Sequence, residues 1–175
     1  ARKTVAHSAL TGRIVDADGN AMSPTFAYGK GGRLYRYYVS APLQQGARRS
    51  AGDTVPRRVS GPALEEAIAT ALRRLLPEET ADDADPLARI VRIEVLQYGI
   101  ELVLPIALLR RLEGRLAPGE RANVDPANPV HLRLRLPLRL TTRGGRTEVL
   151  AASPRPHKAD PVLVAALRAA HQMLS

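Results

Sequence analysis

The chain has 175 residues and a net charge of +9, with 45% hydrophobic residues but only 3% aromatic ones. This hydrophobic content excludes a disordered chain and predicts a core of Leu, Val, Ile and Ala. The sequence has no cysteine, which excludes disulfides and thiolate zinc sites, and it has no apolar run near the ~18 residues of a membrane span. Because it starts at Ala1 rather than Met and has no signal peptide, we expect an excised fragment of a longer intracellular protein.

The charges are unevenly distributed along the chain. Residues 1–60 carry ten Lys or Arg against three Asp or Glu, residues 61–120 carry seven against eleven, and residues 121–175 carry nine against three. Two basic segments therefore flank an acidic middle. Clustered Arg and Lys favour a polyanionic partner such as nucleic acid, and the alternative is a general solubilising surface charge.

The N-terminal part of the sequence predicts a small β-ribbon. Residues 9–16 have the composition of a short strand, and residues 16–20 have that of a turn. A second turn is predicted at 29–32, followed by an aromatic and β-branched strand at 34–40. Residues 41–60 predict a loop or linker.

Helical spacing of apolar residues begins after this linker. Ser60 is a candidate N-cap with Pro62 just inside the helix, and the pattern predicts one amphipathic helix over 61–76. Residues 78–85 predict an exposed acidic connector. A β-hairpin is predicted over 90–104, turning near Tyr98.

The C-terminal third predicts a second set of strands and helices. Residues 105–116 predict a helix and 118–129 a loop. Residues 130–141 alternate leucine with arginine, which predicts a strand with an apolar inner face and a cationic outer face. Within it, Pro137 indicates a sheet edge or a bulge. Residues 147–151 predict the return strand.

A final helix is predicted from Asp160 and Pro161 onward, over residues 160–174. Val164, Leu167, His171 and Leu174 give it one mostly apolar face.

No catalytic motif is present in the sequence. It has no phosphate-binding loop, no paired-histidine metal motif and no Gly-x-Ser-x-Gly elbow, and its four histidines are scattered. The acidic connector is a run of carboxylates, which is typical of a solvated surface. We therefore expect no enzymatic activity, no cofactor and no metal.

Basic and aromatic residues alternate on the second ribbon strand and in the turn before it. Arginine makes bidentate contacts with phosphate or guanine, and a two-stranded ribbon can enter a DNA groove. Strand alternation places Tyr35 and Tyr37 on one face, with Arg36 and Tyr38 on the other. The alternative interpretation is that some of these tyrosines fill the core.

Four segments carry a family resemblance. They are residues 10–24 (LTGRIVDADGNAMSP), 30–40 (KGGRLYRYYVS), 134–146 (LRLPLRLTTRGGR) and 160–171 (DPVLVAALRAAH). Together they resemble the zinc-ribbon region and following segment of large serine recombinases, the integrase and DNA-invertase-like enzymes. The resemblance implies a role in DNA recombination and integration for the parent protein of a mobile element.

The chain departs from that family at its metal site and its catalytic site. Zinc-binding members carry two cysteine pairs, whereas here the first pair is replaced by Asp16 to Gly19, and Ser40 lies near a later cysteine position. We therefore expect a metal-free ribbon whose turn is held by hydrogen bonds of Asp, Gly and Asn. The family's catalytic serine domain is not recognisable, so we expect that these residues do not cut DNA.

These observations predict an α+β fold with an N-terminal β-ribbon, a connecting helix and a small antiparallel sheet with two packed helices. The predicted domains are 1–58, the ribbon module, and 59–175, an α+β domain whose last helix would lead to a further C-terminal tail. The expected function is binding of double-stranded attachment-site DNA by a bacterial or phage-derived protein that is cytoplasmic and associated with the nucleoid. The alternative is a synapsis module that contacts other recombinase subunits; no membrane partner is expected. The residues predicted to contact DNA are Lys30, Arg33, Tyr35, Arg36, Tyr38, Arg48, Arg49, Arg133, Arg135, Arg143 and Arg146.

Overall fold

The computed structural model describes residues 8–78, 85–143 and 146–151, with side chains as far as residue 140. In this part of the chain the strands are β1 Ile14–Asp16, β2 Met22–Tyr28, β3 Leu34–Ser40, β4 Arg58–Ser60, β5 Arg92–Leu96, β6 Gly99–Pro105, β7 Arg121–Val124, β8 His131–Arg143 and β9 Arg146–Ala151. The α-helices are α1 Ala41–Gln44, α2 Gly61–Leu75 and α3 Leu109–Leu112. Short 3-10 turns occupy Lys30–Gly32, Pro86–Arg89 and Ile106–Leu108.

The strands form one mixed sheet, so the α+β fold class is confirmed. Its order is β1-β5-β6-β8-β9-β4-β3-β2, and β7 pairs with β8 beside this path. The pairs β1–β5 and β4–β9 are parallel, and the others are antiparallel. The predicted hairpin is confirmed, since β5 and β6 pair up to Leu96 and Gly99 around the turn at Tyr98.

Strand β8 joins the two parts of this sheet. Its first part pairs with β6 as far as Pro137, and from Leu138 onward it pairs with β9. Pro137 was predicted at an edge or a bulge, and it lies instead inside the sheet, at this change of partner. Beside β8, β7 pairs only as far as Arg135 and β9 pairs only from Leu138 onward, so Pro137 lies at the gap between β7 and β9. A residue without an N–H is tolerated there because the ladder is already interrupted.

The core lies between one face of this sheet, here called the inner face, and α2. Leu64, Ile68, Leu72 and Leu75 of α2 are fully or almost fully buried, which confirms the amphipathic helix predicted over 61–76. The alternation predicted for β8 is also confirmed, because its leucines point inward. Among the buried residues of the sheet are Ile100, Leu102, Leu104, Leu132, Leu134, Leu136 and Leu138.

Four local predictions were wrong in length or type. The helix predicted over 105–116 is reduced to a 3-10 turn and the single turn of α3, and it stops before Gly114, which has φ +76°. The predicted loop at 118–129 contains β7, and the predicted linker at 41–60 contains α1 and β4. In both segments, a short strand forms because a neighbouring strand offers unpaired backbone groups.

The first predicted strand, 9–16, is shortened to β1. A turn precedes it, in which Arg13 N donates to the Leu10 carbonyl and Gly12 has φ +78°. The predicted domain boundary falls inside β4, which pairs with β3 on one side and with β9 on the other. The predicted helix 160–174 lies outside the described residues.

Candidate nucleic-acid interface

The turn at 16–20 is held by its own polar groups. Asp16 is completely buried, and its Oδ1 accepts hydrogen bonds from the backbone nitrogens of Asp18 at 3.0 Å and Asn20 at 2.9 Å. The Asn20 side-chain amide donates to both carboxylate oxygens at 3.2 Å. Gly19, at φ +82°, donates its N–H to the Asp16 carbonyl. The expectation of a turn held by Asp, Gly and Asn is therefore confirmed.

Arg57 ties this turn to the loop that follows α1. Its guanidinium bonds to Asp16 and Asp18 at 2.6 Å and to Asp53 at 3.1 Å. Burial acts to raise the pKa of Asp16, but the Ser40 side chain, the Asn20 backbone and Arg57 outweigh it and lower that pKa. The loop is thus fixed against the base of the ribbon.

The predicted contacts Arg48 and Arg49 lie on that loop and line a cleft of about 330 Å³ beside Asp53 and Arg57. The Arg49 guanidinium donates to the backbone carbonyls of Asp53 and Val55, whereas Arg48 is exposed. Arg49 therefore stabilises the loop, and Arg48 is the more available of the two for an external anion.

On strand β3, Arg36 and Tyr38 face α2, as strand alternation predicts. Arg36 makes a bidentate pair with Glu65, with both N–O distances at 2.6 Å. The Tyr38 hydroxyl donates to Glu65 at 2.5 Å and accepts from the Leu10 backbone N–H at 3.1 Å. Burial of the ring and its bond to Glu65 raise the pKa of Tyr38 to about 12. These groups have internal partners, so we withdraw Arg36 and Tyr38 as predicted DNA contacts.

The opposite face of β3 carries Tyr35 and Tyr37. The guanidinium of Arg58 lies 4.0 Å from the centre of the Tyr37 ring, and that of Arg33 lies 5.4 Å from the centre of the Tyr35 ring. Both are cation–π contacts, which hold the charged groups over the aromatic rings. Tyr37 is buried, whereas Tyr35 is half-buried, so of the two rings Tyr35 is the more accessible.

The tip of the ribbon is exposed. Tyr28 is 76% exposed, and Lys30 and Arg33 are exposed beside it. Gly29 lets the backbone pass close to the Tyr35 ring, because a Cβ at this position would collide with that ring. The predicted contacts Lys30 and Arg33 are thus placed on a projecting, cationic and aromatic tip.

The solvent side of the sheet, here called the outer face, carries a row of arginines. By strand register it includes Arg58, Arg92, Arg121, Arg133, Arg135 and Arg139. Arg133 bonds to Glu101 at 2.8 Å and to Asp125 at 2.9 Å, so it serves the fold more than a partner. Arg135 and Arg139 are exposed. Arg143 and Arg146 pair with each other in the β8–β9 ladder, and their side chains lie outside the described part.

Arg121 and Arg135 lie directly opposite each other in the β7–β8 ladder. Within the described residues, neither side chain makes an ion pair or a hydrogen bond, and the same holds for Arg139. Like charges in directly opposed positions destabilise a sheet. Sequence reasoning missed Arg121 because it lay in a predicted loop, although the alternation of Arg121 with Ala122, Asn123 and Val124 was a weak signal for a strand.

The same described residues contain no cluster of three His, Asp or Glu side chains arranged to hold a metal ion. None of their helices is both long and apolar enough to cross a membrane. No protein-family pattern, curated protein or solved structure matches the chain. The similarity to large serine recombinases therefore stays a prediction that depends on the quoted sequence segments alone.

Proposed function

We propose that this chain is a non-catalytic, DNA-binding part of a site-specific serine recombinase, acting on attachment-site duplex in the bacterial cytoplasm. The observation that carries the proposal is the exposed, directly opposed pair of Arg121 and Arg135 on the outer face. Arg139 extends the row along β8, about 13 Å from Arg135 at the usual rise of a strand.

In the unbound protein, Arg121 and Arg135 face each other across the β7–β8 ladder. Glu101 on β6 is the other register partner of Arg135, but its carboxylate bonds to Arg133. The two opposed guanidinium groups therefore repel each other, and this repulsion costs stability unless a further anion lies between or above them. A DNA duplex presents one phosphate charge per ~1.7 Å of its axis, which would neutralise several arginines of the row at once. Such contacts position the protein without reading the base sequence. The proposal names attachment-site DNA as the nucleic acid because of the resemblance to recombinases.

Replacing both Arg121 and Arg135 with Ala tests this proposal. We expect weaker binding to a duplex, with the slope of log affinity against log salt falling by about 1.8, since each lost phosphate contact contributes about 0.9. The matched control replaces Arg73 and Arg110, two arginines that are exposed on helices. Equal losses of affinity in both double variants, measured by fluorescence anisotropy at several salt concentrations, would contradict the proposal.

The second candidate function is a contact between recombinase subunits. It is favoured by the apolar surface of the ribbon tip, where Phe26, Tyr28 and Leu34 are 41%, 76% and 46% exposed. Grouped exposed apolar side chains favour a protein partner. In that case the protein should self-associate in sedimentation experiments, Tyr28→Ser should abolish the association, and duplex affinity should be weak at all salt concentrations.

A further inference from the structure

The outer face carries a row of four charged residues, one on each of four neighbouring strands. Glu94 of β5 pairs by register with Glu101 of β6. Glu101 pairs in turn with Arg135 of β8, and Arg135 pairs with Arg121 of β7. At the usual spacing of strands, this charged row is about 14 Å wide. Two carboxylates therefore occupy one half of the charged row, and two guanidinium groups occupy the other half.

Each half of the charged row places like charges next to each other, which destabilises a sheet. Glu101 offsets part of this repulsion through its bond to Arg133 at 2.8 Å. Among the residues that the structure describes, Glu94, Arg121 and Arg135 make no hydrogen bond or ion pair. Glu94 is half-buried and lines a cleft of about 190 Å³ on this face, and both arginines are exposed. Three of the four members of the row are thus open to an outside partner of opposite charge.

The order of the charges makes the row complementary to itself. A two-fold axis that runs parallel to the strands, between β6 and β8, brings a second copy face to face with the first. It places Glu94 of one copy opposite Arg121 of the other, and Glu101 opposite Arg135. Each contact then occurs twice, which is the arrangement of an isologous dimer. Sheets that pack face to face keep their strands nearly aligned, as this axis requires.

The next row along the strands meets no like charge under the same axis. By register it contains Arg92 of β5, Val103 of β6, Arg133 of β8 and Asn123 of β7. The axis places Arg92 opposite Asn123 of the other copy, and Val103 opposite Arg133. Both arginines of this row therefore face uncharged side chains, and the bond between Arg133 and Glu101 can stay intact.

We propose that two copies of this chain associate through their outer faces, with Glu94 and Glu101 of each copy paired with Arg121 and Arg135 of the other. A second copy is favoured over an unrelated partner because the complementary charges lie on one surface of a single chain. Two rows on four strands form a contact smaller than the ~800 Å² per partner of a standard interface, so the dimer is weak and sensitive to salt.

The dimer uses arginines that the proposed function assigns to a DNA duplex. The duplex and the second copy would therefore compete for Arg121 and Arg135, and this consequence alone rests on the proposed function. The dimer itself is tested without DNA.

Reversing one charge of the row tests the dimer. Glu94→Arg makes two arginines face each other at both symmetry-related contacts, and Arg121→Glu makes two glutamates do so. In sedimentation velocity at low salt, we expect the unchanged chain to dimerise and each variant to dimerise at least about tenfold more weakly. An equimolar mixture of the two variants brings opposite charges together again at both contacts, so it should restore the affinity of the unchanged chain.

The matched controls are Arg110→Glu and Glu113→Arg, which make the same changes of charge at exposed positions in α3 and just after it. They should leave dimerisation unchanged, and so should Tyr28→Ser at the ribbon tip. A chain that stays monomeric at low salt would overturn the proposal, as would a mixture that dimerises no better than either variant alone. A dimer that is lost in Tyr28→Ser would overturn it in favour of the ribbon tip as the contact.

Glu94→Arg also separates this inference from the proposed function. Because it removes a carboxylate from the outer face and adds a guanidinium group there, it should weaken the dimer without weakening duplex binding in fluorescence anisotropy. If no dimer forms, the duplex titration still tests the proposed function by itself. A chain that dimerises as described but does not bind the duplex would contradict the proposed function alone.

Discussion

The two ends of the sheet are stabilised in different ways. At the ribbon end, formed by β2, β3 and β4, polar groups are buried together, with Arg36, Tyr38 and Glu65 in one network and Arg57 with three aspartates in another. At the leucine end, formed by β5, β6 and the first part of β8, the interior is apolar and the ion pairs of Arg133 lie on the outer face. The difference is that the ribbon end encloses its ion pairs between the sheet, α2 and a loop, whereas the leucine end keeps its charged residues on the outer face, where Arg135 and Arg139 are exposed.

The largest effect is expected from a cavity at the leucine end. Leu134→Ala removes a fully buried side chain and should lower the free energy of unfolding by about 3 to 4 kcal/mol. Its neighbour Arg135 is exposed, and Arg135→Ala should change stability by less than about 0.5 kcal/mol. Urea unfolding of both variants measures the difference, and similar losses would show that Arg135 has a structural partner.

A smaller loss is expected from an unpaired charge at the ribbon end. Glu65→Ala leaves Arg36 mostly buried without its carboxylate, which should cost about 2 kcal/mol, less than for a fully buried pair because some exposure remains. The adjacent Glu66 is exposed, so Glu66→Ala is the matched control and should have little effect. If the two substitutions are equivalent in urea unfolding, the network does not stabilise this end.

The smallest effect concerns the hydroxyl of Tyr38. Tyr38→Phe removes a bond to Glu65 and one from the Leu10 N–H, and should cost about 1 kcal/mol near neutral pH. The pKa of Tyr38 is raised from 10.0 to about 12, so its contribution is complete below pH 10 and is lost as the pH rises toward 12.

An ultraviolet titration of tyrosinate checks this prediction. One of the five tyrosines should ionise near pH 12 in the folded protein, and that late step should be missing in Tyr38→Phe. A late step that survives in the variant would assign the shift to another tyrosine.

The leucine end could be predicted from the sequence because its signals are local. The alternation of leucine and arginine in β8 and the helical spacing in α2 each specify one buried face within a single segment. The same reasoning placed the ribbon turn and strand β3 correctly, since glycine and aspartate favour turns and aromatic residues favour strands.

The ion pairs and the short strands could not be predicted, because they depend on partners distant in sequence. Nothing near Arg36 indicates that Glu65 will meet it, so a structural arginine was interpreted as a DNA contact. The short strands β4 and β7 have almost no periodicity of their own and form only where β9 and β8 offer an edge. Of the residues predicted to contact DNA, Lys30, Arg33 and Arg135 are exposed, and their role stays a prediction. Arg121 was not among the predicted residues, because its strand was not predicted.

The change of partner along β8 has a consequence for how the protein folds. The ribbon end joins the rest of the sheet through β9, which reaches its place only through β8 and pairs in parallel with β4, far away in sequence. Such non-local pairing slows folding, because a long loop must close before the contacts form. During synthesis, β4 of the N-terminal part therefore cannot pair with β9 until the C-terminal strands have been made. The edge of β4 stays open until then. A chain interrupted before β8 would leave that edge free to pair with other molecules.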